Sequence, residues 1–214
     1  MGYTVKRAGL AALALSFSFV AQSATIYNNG APNQFSGTQM SEFLVAEDFA
    51  INSVSNISNI RFWSIQAVLS DYLGSVYWAI YSNAASEPDV ILQGGVTATV
   101  TATPTGAAAS TVGGYAEYVF DIPVTFQLTV GNYWLALHNG PVATNTFNEM
   151  FWATTSGGNG IESLYNDGVN GWVGSGNELA FRLDGTSGGV IPEPGTFVLL
   201  AGGLAAAAFL RRRS

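Results

Sequence analysis

The sequence of 214 residues has few side chains that could catalyse a reaction or hold a metal. It contains no cysteine, which excludes disulfides, thiol nucleophiles and cysteine-ligated zinc or iron–sulfur centres. His138 is the single histidine, so a multi-histidine metal site is excluded as well. It precedes the turn signal Asn139-Gly140-Pro141, and no serine lies in a G-x-S-x-G motif. We therefore predict that His138 is a surface residue and not a catalytic base.

Acidic side chains are the other candidates for catalysis. Glu47-Asp48 is one close pair and Glu117 with Asp121 is another, whereas a glycosidase needs two carboxylates roughly 5–9 Å apart across a cleft. Glu117 and Asp121 fall on one face of a predicted strand, where acids are usually solvated. Within residues 24–191, thirteen acids accompany only two arginines, which gives a formal charge of −11. A body this acidic cannot neutralise phosphates, so nucleic acid is excluded as a partner.

A polar segment near the end of the body is the best candidate for ligand binding. Trp172 lies among glycines and asparagines, and an exposed indole ring beside Asn170 and Asp167 could stack on a sugar. The alternative is a loop tryptophan that only caps the end of the fold. Asn166, Asp167 and Asn170 also form a weak calcium candidate, because calcium prefers oxygen ligands. The segment lacks the EF-hand pattern, however, and its Asp-Gly and Asn-Gly pairs are typical of turns. No other cofactor is expected.

The C-terminus has three consecutive parts. Pro192-Glu193-Pro194 is kept extended by its prolines, residues 196–210 form an apolar run, and Arg211, Arg212 and Arg213 form a basic end. At about 1.5 Å per residue, the apolar run is shorter than a bilayer core of about 30 Å, which favours a temporary membrane stop. The alternative is an ordinary C-terminal anchor.

This tail resembles the PEP-CTERM sorting signal of exported Gram-negative bacterial proteins. The resemblance implies processing by an exosortase near Pro192-Glu193-Pro194, and transient anchoring in the inner membrane. It also implies a destination at the cell surface or in an extracellular matrix, in a bacterium that makes extracellular polysaccharide.

The N-terminus carries the pattern of a secretory signal. Lys6 and Arg7 precede the apolar residues 8–20, and Ala21-Gln22-Ser23-Ala24 provides small residues for cleavage. We predict a signal peptide with a helix over residues 1–24, recognised by the general secretion machinery. The remaining boundaries are a β-sandwich domain at 25–186, a linker at 187–191 and a sorting signal at 192–214, with a transmembrane segment at 196–210.

The body shows the alternation of apolar and polar residues that is typical of strands, interrupted by turn residues. No long amphipathic helix is present, so a parallel α/β fold is excluded and an all-β antiparallel sandwich, jelly-roll-like, is predicted. We expect the strand tryptophans Trp63, Trp78 and Trp134 to lie in its core, and a loop around Pro104-Thr105-Gly106. The clearest strands are predicted at 59–65, 75–81, 96–103, 115–122, 132–138, 147–154 and 178–184.

Residues 128–137 follow the pattern L-T-x-G-x-Y-W-L, which resembles a strand entry in bacterial surface sandwiches. That resemblance implies a fold more than a function, although several such domains bind sugars. We interpret the chain as a non-enzymatic, exported matrix or surface protein associated with exopolysaccharide or biofilm. The alternative is a carbohydrate-binding module, and a less favoured one is a glycoside-acting enzyme.

Overall fold

In a computed structural model of the chain, residues 23–98, 100–108, 113–144 and 146–188 are described. The predicted signal helix and the predicted transmembrane segment 196–210 lie outside these ranges. So do the predicted processing residues Pro192, Glu193 and Pro194 and the three C-terminal arginines. Within the described ranges, no helix is both long enough and apolar enough to cross a membrane.

Antiparallel β-structure dominates the described residues, and the one helical element among them is a single 3-10 turn at Leu69–Asp71. The strands are β1 (Ala24–Asn28), β2 (Pro32–Gln39), β3 (Leu44–Ile51), β4 (Ser55–Gln66), β5 (Ser75–Ala84), β6 (Glu87–Ala98), β7 (Ala102–Ala108), β8 (Ala116–Leu128), β9 (Gly131–Asn139), β10 (Met150–Thr155), β11 (Leu164–Asn166), β12 (Trp172–Gly174) and β13 (Phe181–Ser187).

The strands form two sheets. In the seven-stranded sheet, β4 pairs with β8 on one side and with β13 and β10 on the other, while β7, β1 and β2 lie further out. The six-stranded sheet has the order β12-β11-β3-β9-β5-β6. The predicted all-β antiparallel sandwich is therefore confirmed, and its jelly-roll connectivity stays a prediction.

Aromatic side chains fill the space between the sheets. Phe181 of the seven-stranded sheet is fully buried, and its ring centroid lies 5.9 Å from that of Phe49 in the six-stranded sheet. It also meets Trp152 at 6.0 Å, while Phe62 and Phe120 stack at 4.8 Å. Large buried rings of this kind contribute much of the apolar area that stabilises a sandwich.

Two local predictions are wrong. The alternating run 96–103 is divided between the end of β6 and the start of β7, because the chain crosses there from one sheet to the other. Pro104, Thr105 and Gly106 belong to β7 and do not form a loop. Among the described strands β7 pairs with β8 alone, and an outer strand tolerates the missing N–H of a proline.

Candidate functional site

The outer face of the six-stranded sheet is apolar at its centre. Ala46, Ala136, Ala79 and Gly94 lie side by side on four neighbouring strands. A Cβ atom at Gly94 would lie 2.9 Å from the Trp78 carbonyl oxygen, so a larger residue would disturb the sheet here. We call this surface the outer face; its small residues leave room for the aromatic rings that flank them.

Trp134 and Tyr81 form the next row of the outer face, between Asp48 on one side and Ile91 on the other. Trp134 was predicted to be a core residue. It is indeed buried, but it points away from the space between the sheets and packs with Tyr81 and the small residues of the outer face. Its Nε1 donates a hydrogen bond to Asn83 Oδ1 at 2.9 Å.

Trp172 contributes to the same surface. The half-buried ring lies edge-on to Tyr81, with the centroids 5.9 Å apart and the planes at 83°. It is the first residue of β12 and is paired with Asn166, so its segment is a short strand that follows a tight turn. The structure thus places Trp172 at the border of the outer face, beside aromatic residues that are distant in the sequence.

A pocket of about 340 Å³ lies where this face meets the loop after β10. Its lining includes two aromatic rings, three amides and one carboxylate: Tyr27, Asp48, Asn83, Asn132, Trp134 and Asn159. The volume falls within the range of roughly 300–1,000 Å³ that is usual for small-ligand sites. Aromatic rings with amide and carboxylate groups are suited to the apolar faces and hydroxyls of a sugar.

Asp48 is the charged group of the pocket wall. Asn159 Nδ2 donates to Asp48 Oδ2 at 3.0 Å and so fixes the loop against β3. Asp48 Oδ1 is buried and has no hydrogen-bond partner. Burial raises the pKa of this carboxyl above its ordinary value, and the nearby charge of Glu178 acts in the same direction. Asp48 Oδ1 has almost no accessible surface, so it lies beneath the pocket wall and is not presented to a molecule in the pocket.

Two further acids lie beside Asp48, and we call Glu47, Asp48 and Glu178 the acidic cluster. Glu47 has no exposed surface, and its Oε2 accepts a hydrogen bond from the Leu179 N–H at 2.7 Å. Burial, followed by the charge of Glu178, raises the pKa of Glu47 to about 10. Glu178 Oε2 accepts from the Asn159 N–H at 3.1 Å, which ties this acid to the same loop.

No cation offsets the acidic cluster within the described ranges. The two arginines there, Arg61 and Arg182, pair with Asp121 at 2.6 Å and Asp184 at 2.9 Å. The unpartnered oxygens of the cluster, Glu47 Oε1, Asp48 Oδ1 and Glu178 Oε1, are all buried. A buried carboxylate without a partner is costly when it is ionised, and this cost is the main reason why the pKa values of Glu47 and Asp48 are raised.

The predicted calcium residues form a self-contained turn. Asp167 Oδ1 accepts the N–H groups of Val169 and Asn170, each at 2.8 Å, and its Oδ2 accepts from Asn170 Nδ2. These bonds lower the pKa of Asp167, and Asn166 Oδ1 accepts the Gly168 N–H. Among the described residues, no three His, Cys, Asp or Glu side chains are grouped so as to hold a metal ion. The calcium hypothesis stays a prediction that this geometry does not support.

Two expectations of exposure are wrong. His138 is 1% exposed; its Nδ1 lies 3.1 Å from the Gly140 carbonyl oxygen, and burial lowers its pKa. Glu117 is 4% exposed, although it shares a strand face with the partly exposed Asp121. Strand alternation assigned these side chains to the correct faces but could not show that neighbouring segments cover them.

The pocket itself was not predicted from the sequence. Tyr27, Asp48, Asn83, Asn132 and Asn159 were not named as ligand-binding residues. One signal was available, because the alternation of Tyr133 and Leu135 with Trp134 and Ala136 indicates that Trp134 faces away from the core side of β9.

Comparison with known proteins identifies the tail and leaves the body unassigned. Residues 190–213 match the family model of the PEP-CTERM protein-sorting motif. No curated protein and no solved structure matches the chain. The motif implies an exported protein, anchored transiently in the membrane by its C-terminal signal and sorted by an exosortase. The chain thus carries a PEP-CTERM protein-sorting motif at its C-terminus, behind an all-β body.

Proposed function

We propose that this protein is a non-enzymatic component of the cell surface or extracellular matrix, associated with extracellular polysaccharide. The observation that carries the proposal is the sorting motif at residues 190–213, which follows an acidic β-sandwich. The general secretion machinery moves the body across the inner membrane. The apolar segment and Arg211, Arg212 and Arg213 then hold the chain there until an exosortase cleaves near Pro192-Glu193-Pro194.

The test is mass spectrometry of the C-terminus of the mature extracellular protein. We expect the last peptide to end close to Pro192-Glu193-Pro194, and the double variant Pro192→Ala with Pro194→Ala to accumulate unprocessed in the membrane fraction. Pro141→Ala, in an exposed turn of the body, serves as the control and should be processed normally. Recovery of mature peptides that extend beyond Leu200 would contradict this account of the tail.

No residue of this protein is given a catalytic role. A glycosidase would need two carboxylates that face each other across the substrate site. Asp48 is the carboxylate in the pocket lining, whereas Glu47 is fully buried behind it. Of the other pair considered from the sequence, Asp121 forms a salt bridge with Arg61 and Glu117 is buried.

A second candidate function is carbohydrate binding through the outer face. It is favoured by the half-buried ring of Trp172, which packs against the buried Tyr81, and by the nearby pocket with its amide lining. In this role the protein would hold polysaccharide directly, with Trp172 beside the bound chain and Asn170 and Asp167 at its edge.

Polysaccharide pull-down with the mature protein tests this second function. Trp172→Ala should weaken binding about tenfold or more, since the loss of one stacking ring removes a large apolar contact. Trp63 was predicted to lie in the core but is half-buried on the other side of the seven-stranded sheet, away from the space between the sheets. Trp63→Ala is therefore the matched control and should bind as the wild type does. Equal binding of polysaccharide by the wild type and by Trp172→Ala would show that Trp172 is not part of the binding site.

A further inference from the structure

We infer that strand β6 pairs edge to edge with β6 of a second copy of this chain, so that the six-stranded sheets of two molecules join across a two-fold axis. Among the described strands, β6 lies at one end of its sheet and pairs with β5 alone. In such an outer antiparallel strand, alternate residues direct their N–H and C=O groups away from the sheet, where another strand can bind them. This contact goes beyond the proposed function, because it joins copies of the protein to each other.

The other outer strands of the described fold are protected against such pairing. β12 and β1 are short, with three and five residues, while β2 begins at Pro32 and β7 contains Pro104. β6 has twelve residues, and its proline, Pro88, is the second of them. Short length, proline and lysine are the common features that block an open edge, and the one lysine of the chain is Lys6. The part of β6 that follows Pro88 therefore lacks this protection.

Exposed apolar side chains are concentrated on β6. Four large ones lie on this strand: Val90, Ile91, Leu92 and Val96. They are 43–57% exposed, and pairing with a second strand would remove part of this apolar surface from water. The register with β5 shifts twice between Ile80 and Asn83, whereas residues 93–98 keep a regular register with residues 75–80. The regular half of β6 is therefore the better template for another strand.

The distribution of charge favours a second copy as the partner. Residues 24–191 have a formal charge of −11, so two copies repel each other over most of their surfaces. Residues 90–116 contain no charged side chain, and they include most of β6 and the whole of β7. Contact along β6 therefore brings two acidic bodies together at a stretch of chain that adds no charge of its own.

Symmetry also makes β6 a suitable partner for itself. Two antiparallel strands related by a two-fold axis present the same residues to each other, so the apolar side chains of one β6 meet those of the other. Such a contact is closed and gives a dimer, not a fibre. One strand from each copy makes a small interface beside the roughly 1,200–2,000 Å² of stable complexes, so the dimer should be reversible and depend on protein concentration.

The test is sedimentation equilibrium of the mature extracellular protein over a wide range of concentrations. We expect a monomer–dimer equilibrium in which the dimer fraction rises with added salt, since salt screens the repulsion between two acidic bodies. Val96→Lys should raise the dissociation constant of the dimer at least tenfold, because it replaces an apolar side chain of the paired edge with a charged one.

Val169→Lys is the matched control for Val96→Lys. Val169 is 85% exposed and lies in the turn between β11 and β12, at the opposite end of the same sheet. Both variants change the net charge equally, so a difference between their dissociation constants reports on the β6 edge. Val169→Lys should dimerise at least as well as the wild type.

Cysteine cross-linking locates the two-fold axis, because the chain has no cysteine of its own. Single substitutions are made along β6, among them Gln93→Cys and Gly95→Cys; a Cβ atom at Gly95 would meet no other atom within 4 Å. We expect disulfide-linked dimers to be most abundant near the axis and to decrease along the strand, since equivalent residues separate by about 7 Å for each step from it. This measurement decides the question even if Val96→Lys does not fold.

Several results would overturn the inference. The mature protein could sediment as a monomer at every concentration, or Val96→Lys could dimerise as tightly as the wild type. Cross-linking as abundant for Val169→Cys as along β6 would show that the copies meet through another surface. An assembly that grows beyond the dimer would exclude the two-fold pairing. Processing near Pro192-Glu193-Pro194 is tested separately by the C-terminal mass spectrum, so the proposed function can stand when this inference fails.

Discussion

At the scale of single residues, Glu47 has the least expected environment. Glutamate is almost never fully buried unless it is paired, yet this one points into the sandwich between Val45 and Phe49. Its Oε2 accepts the Leu179 N–H, and its pKa is raised from 4.5 to about 10, mainly by burial. Glu47 is therefore protonated in the folded protein at neutral pH and ionised in the unfolded chain.

This difference predicts how stability depends on pH. Between about pH 4.5 and pH 10 the folded state retains a proton that the unfolded state has lost, so the free energy of unfolding falls as pH rises. The fall from this group is at most about 1.4 kcal/mol per pH unit. Glu47→Gln, whose amide oxygen can still accept from the Leu179 N–H, should lose less stability between pH 5 and pH 8. Urea unfolding at both pH values measures this.

The control for this experiment is Glu149→Gln, which removes an exposed acid and should leave the pH dependence nearly unchanged. Equal slopes for the wild type and Glu47→Gln would show that Glu47 does not retain a proton in the folded state.

At the scale of elements, the β5–β6 hairpin positions one rim of the pocket. Its turn residues Ala85 and Ser86 both have positive φ, at 52° and 65°, although neither is glycine. Two such residues in succession are typical of the type I′ turn, for which Asn-Gly is the preferred sequence. Because Asn83 and Ser86 line the pocket, this strained turn determines where the amide of Asn83 is held.

We expect the double variant Ala85→Asn with Ser86→Gly to stabilise the protein by about 1–2 kcal/mol, since it removes the left-handed strain from two positions. Thermal unfolding monitored by circular dichroism measures the gain. Ala84→Asn, at an exposed site of the same hairpin without positive φ, is the control and should give no gain. A loss of stability in the double variant would show that the turn does not limit this hairpin.

At the scale of the whole molecule, stability depends on contacts between the two sheets. Phe181 is the clearest of these, because its ring packs against Phe49 across the interior as well as against Trp152 and Tyr27. The strongly acidic surface works against compactness through self-repulsion, which makes the apolar interior more important. No disulfide supplements it in a chain without cysteine.

Phe181→Ala should lower the free energy of unfolding by about 3–5 kcal/mol, because it leaves a cavity between the sheets. Denaturant unfolding provides the measurement. Phe147→Ala is the matched control: this phenylalanine is 85% exposed, so the same substitution should change stability by less than about 0.5 kcal/mol. Similar losses in both variants would contradict the assignment of Phe181 to the interior.

Much of the fold could be predicted from local patterns. Strand alternation assigned Val76 and Ile80 to one face and Tyr77 and Tyr81 to the other, as the structure confirms. The sorting motif could also be identified without a structure, because its residues are contiguous and their order carries the signal. In both cases the information lies within a short stretch of chain.

Only the tertiary structure shows where the pocket lies and which charged groups surround it. Asp48 and Asn159 form a direct hydrogen bond across 111 positions of sequence, and no local pattern encodes that contact. Likewise, Trp134 and Trp172 can be recognised as parts of one surface only after β12 is seen to pair with β11, which in turn pairs with β3. Burial depends on what the rest of the chain places over a side chain, and this is why Glu47, Glu117 and His138 acquire environments that their own segments do not predict.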